Sequence, residues 1–91
     1  MAGVVRLSAQ AEEDYNEIPL TILDEFDWYL QELADHPSRG IDAPVPFRPG
    51  SLLFDFVLEN EIVGELLFQI RYLRCQDEIS SAVSRIILRT G

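Results

Sequence analysis

The apolar residues of this chain change their spacing once, and that change limits the folds open to it. From Ala11 to Leu33 they recur every three to four residues, whereas from Leu52 to Leu73 they alternate with a period of two. The first spacing lines one stripe of a helix and the second lines one face of a strand. Helices followed by strands, rather than interleaved with them, predict an α+β domain with an antiparallel sheet. The chain has 91 residues, 47% of them apolar and nine aromatic. That suits one domain over residues 1–91 with a single core.

The local signals refine this outline. Val4, Val5 and Leu7 read as a short strand, and Ser8 as a helix cap before a stripe of Ala11, Tyr15 and Ile18. Pro19 either kinks this helix or opens a second, whose stripe is Ile22, Phe26, Tyr29, Leu30 and Leu33. Thr21 and Asp24 have capping-box spacing. His36-Pro37 ends the helical half, because proline disfavours helical geometry in the residue before it. Ser38 to Ser51, with Pro44, Pro46 and Pro49, reads as a loop. Leu52, Phe54, Phe56 and Leu58 then mark one strand, and Leu66, Phe68, Ile70 and Tyr72 a second, with the turn at Glu59 to Gly64. Arg71 and Tyr72 fall on opposite faces of the second strand, and the face of Leu66, Phe68 and Ile70 is the core candidate. Gln76-Asp77-Glu78 reads as a turn, and Ile79 to Leu88 as a third antiparallel strand or a terminal helix.

Charge divides along the same boundary. Residues 12 to 35 hold nine carboxylates and no basic residue, while residues 71 to 91 hold Arg71, Arg74, Arg85 and Arg89 against Asp77 and Glu78. An anionic partner would therefore meet the C-terminal segment, where these arginines can form a phosphate-binding face, stay solvated, or pair with acids such as Asp55, Glu59 and Glu65. The formal net charge of −9 favours solubility and works against non-specific nucleic-acid binding through the helical half. The carboxylate run lacks the pattern of a calcium loop, so it reads as a solvated face or a dock for a basic partner. Trp28 and Tyr29 lie about 100° apart on their helix, which leaves one of them partly exposed beside these acids.

Other classes of chemistry find little support. Cys75, the single cysteine, offers neither an internal disulfide nor a multi-thiolate metal site, and no cofactor or metal is expected. His36 sits where it suits helix termination better than acid–base work. Met1 to Leu7 lack a signal-peptide core, and no run approaches the ~20 apolar residues of a membrane span. The expectation is a cytoplasmic protein without membrane contact.

One family resemblance emerges from short motifs spread over most of the chain. Val5-Arg6-Leu7-Ser8-Ala9-Gln10-Ala11-Glu12-Glu13-Asp14-Tyr15 resembles the opening of RelE/ParE-superfamily toxins: a short strand, a small polar residue, then an Ala-Glu-Asp helix. Leu33-Ala34-Asp35-His36-Pro37 resembles their helix end, Phe68-Gln69-Ile70-Arg71-Tyr72 their strand with Arg before Tyr, and Ile86-Ile87-Leu88-Arg89 their final strand. The resemblance implies a RelE/ParE-like fold: an N-terminal strand, a helical hairpin and a sheet of three antiparallel strands. It also implies a toxin of a toxin–antitoxin, plasmid-stabilisation type of system, with a cognate antitoxin as partner. One branch of the family cleaves mRNA on the ribosome and another inhibits DNA gyrase. For the ribonuclease branch the matching catalytic positions are Arg71 and Arg89, with Arg85 and Tyr72 behind them. Such groups stabilise charge that grows on phosphate in the transition state. Family members usually have a basic helical half, and here it is acidic. The alternative is thus a non-catalytic interaction module of the same fold, binding a protein through its acidic helices or a sheet edge. A second copy of the chain is a further candidate partner.

Overall fold

A computed structural model of the chain describes residues 3–62, 64–76 and 80–90. Strand β1 (Val4–Leu7) leads into helix α1 (Ala9–Asn16), and helix α2 (Leu20–Asp35) follows. Ser8 caps α1 as its sequence position predicts, its hydroxyl accepting a hydrogen bond from the Ala11 N–H at 3.1 Å. The start of α2 departs from expectation. Pro19 opens this helix from the cap position, so Thr21 falls inside the first turn and the Thr21–Asp24 capping box does not form. At the other end the His36 N–H closes on the Glu32 carbonyl at 2.9 Å, and Pro37 starts a short 3-10 turn (Pro37–Arg39).

The loop that follows contains a two-residue strand, β2 (Ile41–Asp42), before β3 (Leu52–Asn60), β4 (Gly64–Arg74) and β5 (Ser80–Thr90). Gly64 holds φ at +81° where it faces Asn60 across the β3–β4 turn, a conformation that L side chains rarely adopt. The segment left open between strand and helix is a strand from Ser80 onward; Asp77, Glu78 and Ile79 lie outside the described residues.

The sheet has five strands in the order β1-β5-β4-β3-β2. The three antiparallel strands predicted from alternation are its centre, and two short strands are added at the edges. One is β1, which pairs in parallel with β5 from Val4 on Ser80 to Leu7 on Val83. The other is β2, antiparallel to β3 at only two positions. β1 is the strand expected at Val4, Val5 and Leu7, but its pairing with the far end of the sequence was not legible, and β2 is too short to show a period.

Both helices cover one face of this sheet. Their stripes supply Ala11, Ile18, Ile22, Phe26 and Leu33, and the strands supply Phe56, Leu58, Leu66, Phe68, Ile70, Tyr72, Val83 and Ile86. Phe26 is fully buried at the centre, with the Phe68 and Phe56 rings at 5.1 and 5.7 Å. Tyr29 stacks on Phe56 at 4.3 Å, which leaves the neighbouring Trp28 on the outside of α2. Among the described residues no helix is long and apolar enough to cross a membrane.

Candidate functional site

The helices leave the second face of the sheet open, and strand alternation decides what stands there. Directly opposite residues share a face, so the register sets out rows. Val57, Leu67 and Arg89 form one row, Asp55, Gln69 and Ile87 the next, and Leu53, Arg71 and, at the backbone, Arg85 a third. The first two rows surround a shallow cleft of about 270 Å³. Its floor is apolar, with Val57 43% and Leu67 38% exposed. Arg89 and Asp55 stand at its margin.

Arg71 and Arg89, the leading sequence candidates, thus share this face on neighbouring strands, two rows apart. Strand geometry separates their backbones by about 14 Å, a spacing that fits two anionic groups better than one. Arg71 is half-buried and oriented. Its Nε donates to Gln69 Oε1 at 3.2 Å, and its guanidinium lies 4.7 Å from the centre of the Phe47 ring. Gln69 was accessible to sequence reasoning as the residue two before Arg71 on the same face. Phe47 was not, because it comes from the proline-rich loop, which has no period to place it.

Arg85 does not join this pair. A bulge in the β4–β5 register places Ser84 as an extra residue between Val83 and Arg85, and bulges re-aim side chains. Arg85 Nε reaches Asp14 Oδ2 on α1 at 2.8 Å, and the same oxygen accepts the Ile86 N–H at 3.0 Å. Partial burial acts to raise the Asp14 carboxyl. It is outweighed by the Arg85 hydrogen bond, the Ile86 N–H and the Gln10 amide, which hold the group below the usual carboxylate range.

Tyr72 is also elsewhere, on the helix-covered face and 1% exposed. Its hydroxyl donates to the Pro37 carbonyl and accepts from the Gly40 N–H at 3.0 Å, fastening the turn after α2 to the sheet. Burial raises its pKa, against the Gly40 hydrogen bond and the Arg74 charge. A Cβ on Gly40 would strike this hydroxyl and its ring, so glycine is required there. His36 lies at the end of α2, in the helix layer.

Of the two plainer alternatives for the arginines, pairing with the sheet's acids is not the one seen. Among the described residues none of Asp55, Glu59 and Glu65 pairs with an arginine; the ion pairs found are Arg85 with Asp14 and Arg39 with Glu32, the latter at 3.5 Å. Nor do three His, Cys, Asp or Glu side chains among them converge on a metal position.

Comparison with known proteins places this architecture. No protein-family model and no curated protein matches the chain. Solved structures do. A chain of the RelBE2 toxin–antitoxin complex from Mycobacterium tuberculosis is 15% identical, with 98% of this chain and 100% of that one covered at a TM-score of 0.71. A mutant of the E. coli toxin RelE in the free state gives 12% identity, coverages of 94% and 82%, and a TM-score of 0.62. The intact E. coli RelBE toxin–antitoxin complex gives 11%, 93% and 94%, and 0.58. At such identities the likeness is one of architecture, and the chain has the RelE-like toxin fold in a far-diverged sequence.

Proposed function

We propose that the chain is the toxin of a toxin–antitoxin pair, a growth inhibitor that engages its target through Arg71 and Arg89 on the open sheet face. The observation that carries this reading is the placement of both guanidiniums on the one sheet face the helices leave uncovered, within a RelE-like fold. Arg71 meets a ligand already oriented by Gln69 and Phe47, so its charge-assisted hydrogen bonds need little reorganisation. With mRNA as target the two arginines would hold phosphates along the strand while Val57, Leu67 and Ile87 pack against sugar or base. Tyr72 serves this face by holding the fold behind it.

A second reading, a non-catalytic interaction module, is favoured by the apolar floor of the cleft and the carboxylate of Asp55 at its margin, which suit a protein side chain better than a phosphate. Growth of a bacterial host after induced expression separates the two. The wild type is compared with the Arg71→Ala/Arg89→Ala variant, both verified as folded by circular dichroism. Arrest by the wild type alone supports the toxin reading, and primer extension on cellular mRNA then distinguishes RNA cleavage from a protein target such as gyrase. A folded wild type that leaves growth unchanged sinks it.

A further inference from the structure

The two edges of the sheet are treated differently. Beyond β1, the outer side of β5 is blocked by side chains: Ser8 Oγ donates to the Ser84 carbonyl at 3.0 Å, and Asp14 takes the Ile86 N–H. Such blocking is how edge strands are kept from pairing with other chains. The outer side of β3 has no counterpart. β2 pairs only with Leu52 and Leu53, and the Ala43 N–H reaches the Ser51 carbonyl at 2.9 Å. Since alternate residues point their N–H and C=O to the same side, those of Asp55, Val57 and Glu59 face outward, past the end of β2. Among the described residues nothing covers them.

The side chains around this edge specify what fits it. On the open face Asp55 and Glu59 flank Val57, and Glu59 stands directly opposite Glu65 with no arginine between them. Like charges in that arrangement repel. On the helix face the same edge borders a cleft of about 250 Å³ between Trp28, Tyr29 and Glu25 of α2 and Leu58 of β3. Trp28 is 58% exposed there. We infer that the β3 edge is a docking site for an extended, basic segment of a partner protein. The segment adds as a sixth strand, with Lys or Arg beside Asp55 and Glu59 and apolar residues against Trp28 and Tyr29. Main-chain hydrogen bonds to Asp55, Val57 and Glu59 supply affinity, and the alternation of basic and apolar side chains supplies specificity. A second copy of this chain is a poor occupant. Two β3 strands paired antiparallel about Val57 would set each Asp55 against the other copy's Glu59. The inference goes beyond the toxin reading, because it holds whether or not Arg71 and Arg89 engage a target.

A synthetic peptide of alternating Arg and Val, with an alternating Glu and Val peptide as control, tests this on the full chain. Trp28, the single tryptophan, reports binding by fluorescence, and hydrogen exchange locates it. The expected result is that the basic peptide shifts Trp28 emission and slows exchange at the Asp55, Val57 and Glu59 amides, while the acidic peptide does neither. Val57→Pro removes an outward N–H that β4 does not use and should abolish binding. Asp55→Lys/Glu59→Lys keeps the backbone intact and should weaken binding at least tenfold. The proposal is overturned if the basic peptide does not bind, if protection appears away from these amides, or if both variants bind as the wild type does. A dimer by sedimentation that Val57→Pro dissolves would assign the edge to a second copy and overturn it as well.

Discussion

Tyr72 shows how one side chain can be read correctly for its face while its hydrogen-bond partners stay unread. Alternation along Leu66, Phe68, Ile70 and Tyr72 places it toward the core, and it is buried there. Its hydroxyl then serves the backbone of Pro37 and Gly40 from the next layer, contacts between residues more than thirty positions apart that no local pattern announces. Tyr72→Phe leaves that carbonyl and N–H without their partner in a half-buried place. It should lower stability by about 1–2 kcal/mol, measured by urea unfolding, while growth inhibition by the folded fraction persists. Loss of activity at full stability would instead make the hydroxyl part of the site. Arg71 offers the converse case: its face and its Gln69 partner follow from the strand period, and only Phe47 required the structure.

Elements in this fold are joined by a few polar contacts at their ends, and the junction of α1 with β5 is the clearest. Asp14 receives Arg85 and the Ile86 N–H together, where the bulge at Ser84 has turned the strand toward the helix. No sequence signal marks the bulge, so charge and the family resemblance set Arg85 behind Arg71 and Arg89 with nothing to show that its side chain turns to α1. The Asp14 carboxyl titrates below its ordinary range in the folded chain, so on acidification the unfolded chain takes up the proton first. Its contribution is complete above the unfolded value, about pH 3.9, and is lost as the pH falls through the folded one. Asp14→Asn should therefore cost about 1–2 kcal/mol near neutral pH, with the gap to the wild type closing below about pH 4. Denaturant melts across that range measure it, and a pH-independent gap would remove the carboxylate from the account. The helices themselves were legible from their stripes and from Ser8. The failure at Thr21 has a simple cause, since Pro19 already holds the cap position and fixes where the turn begins.

Across the whole molecule the excess of carboxylates dominates. Nine of them lie between residues 12 and 35, and Asp55, Glu59 and Glu65 carry the same sign onto the sheet, with no arginine partner among the described residues. Folding concentrates this charge, and the resulting self-repulsion is screened by salt. The melting temperature should therefore rise by several degrees between about 10 mM and 0.5 M sodium chloride, where the Debye length falls from roughly 30 Å to a few ångströms. A falling melting temperature would mean that ion pairs such as Arg85–Asp14 outweigh the repulsion. The order of the strands has a different consequence, one of timing. Val4 lies beside Ser80 and Leu7 beside Val83, so β1 has no sheet neighbour until β5, some seventy residues later, has been synthesised. While the ribosome is still building β3 and β4, β1 waits without its β-sheet partner, and this edge of the sheet closes only when β5 emerges.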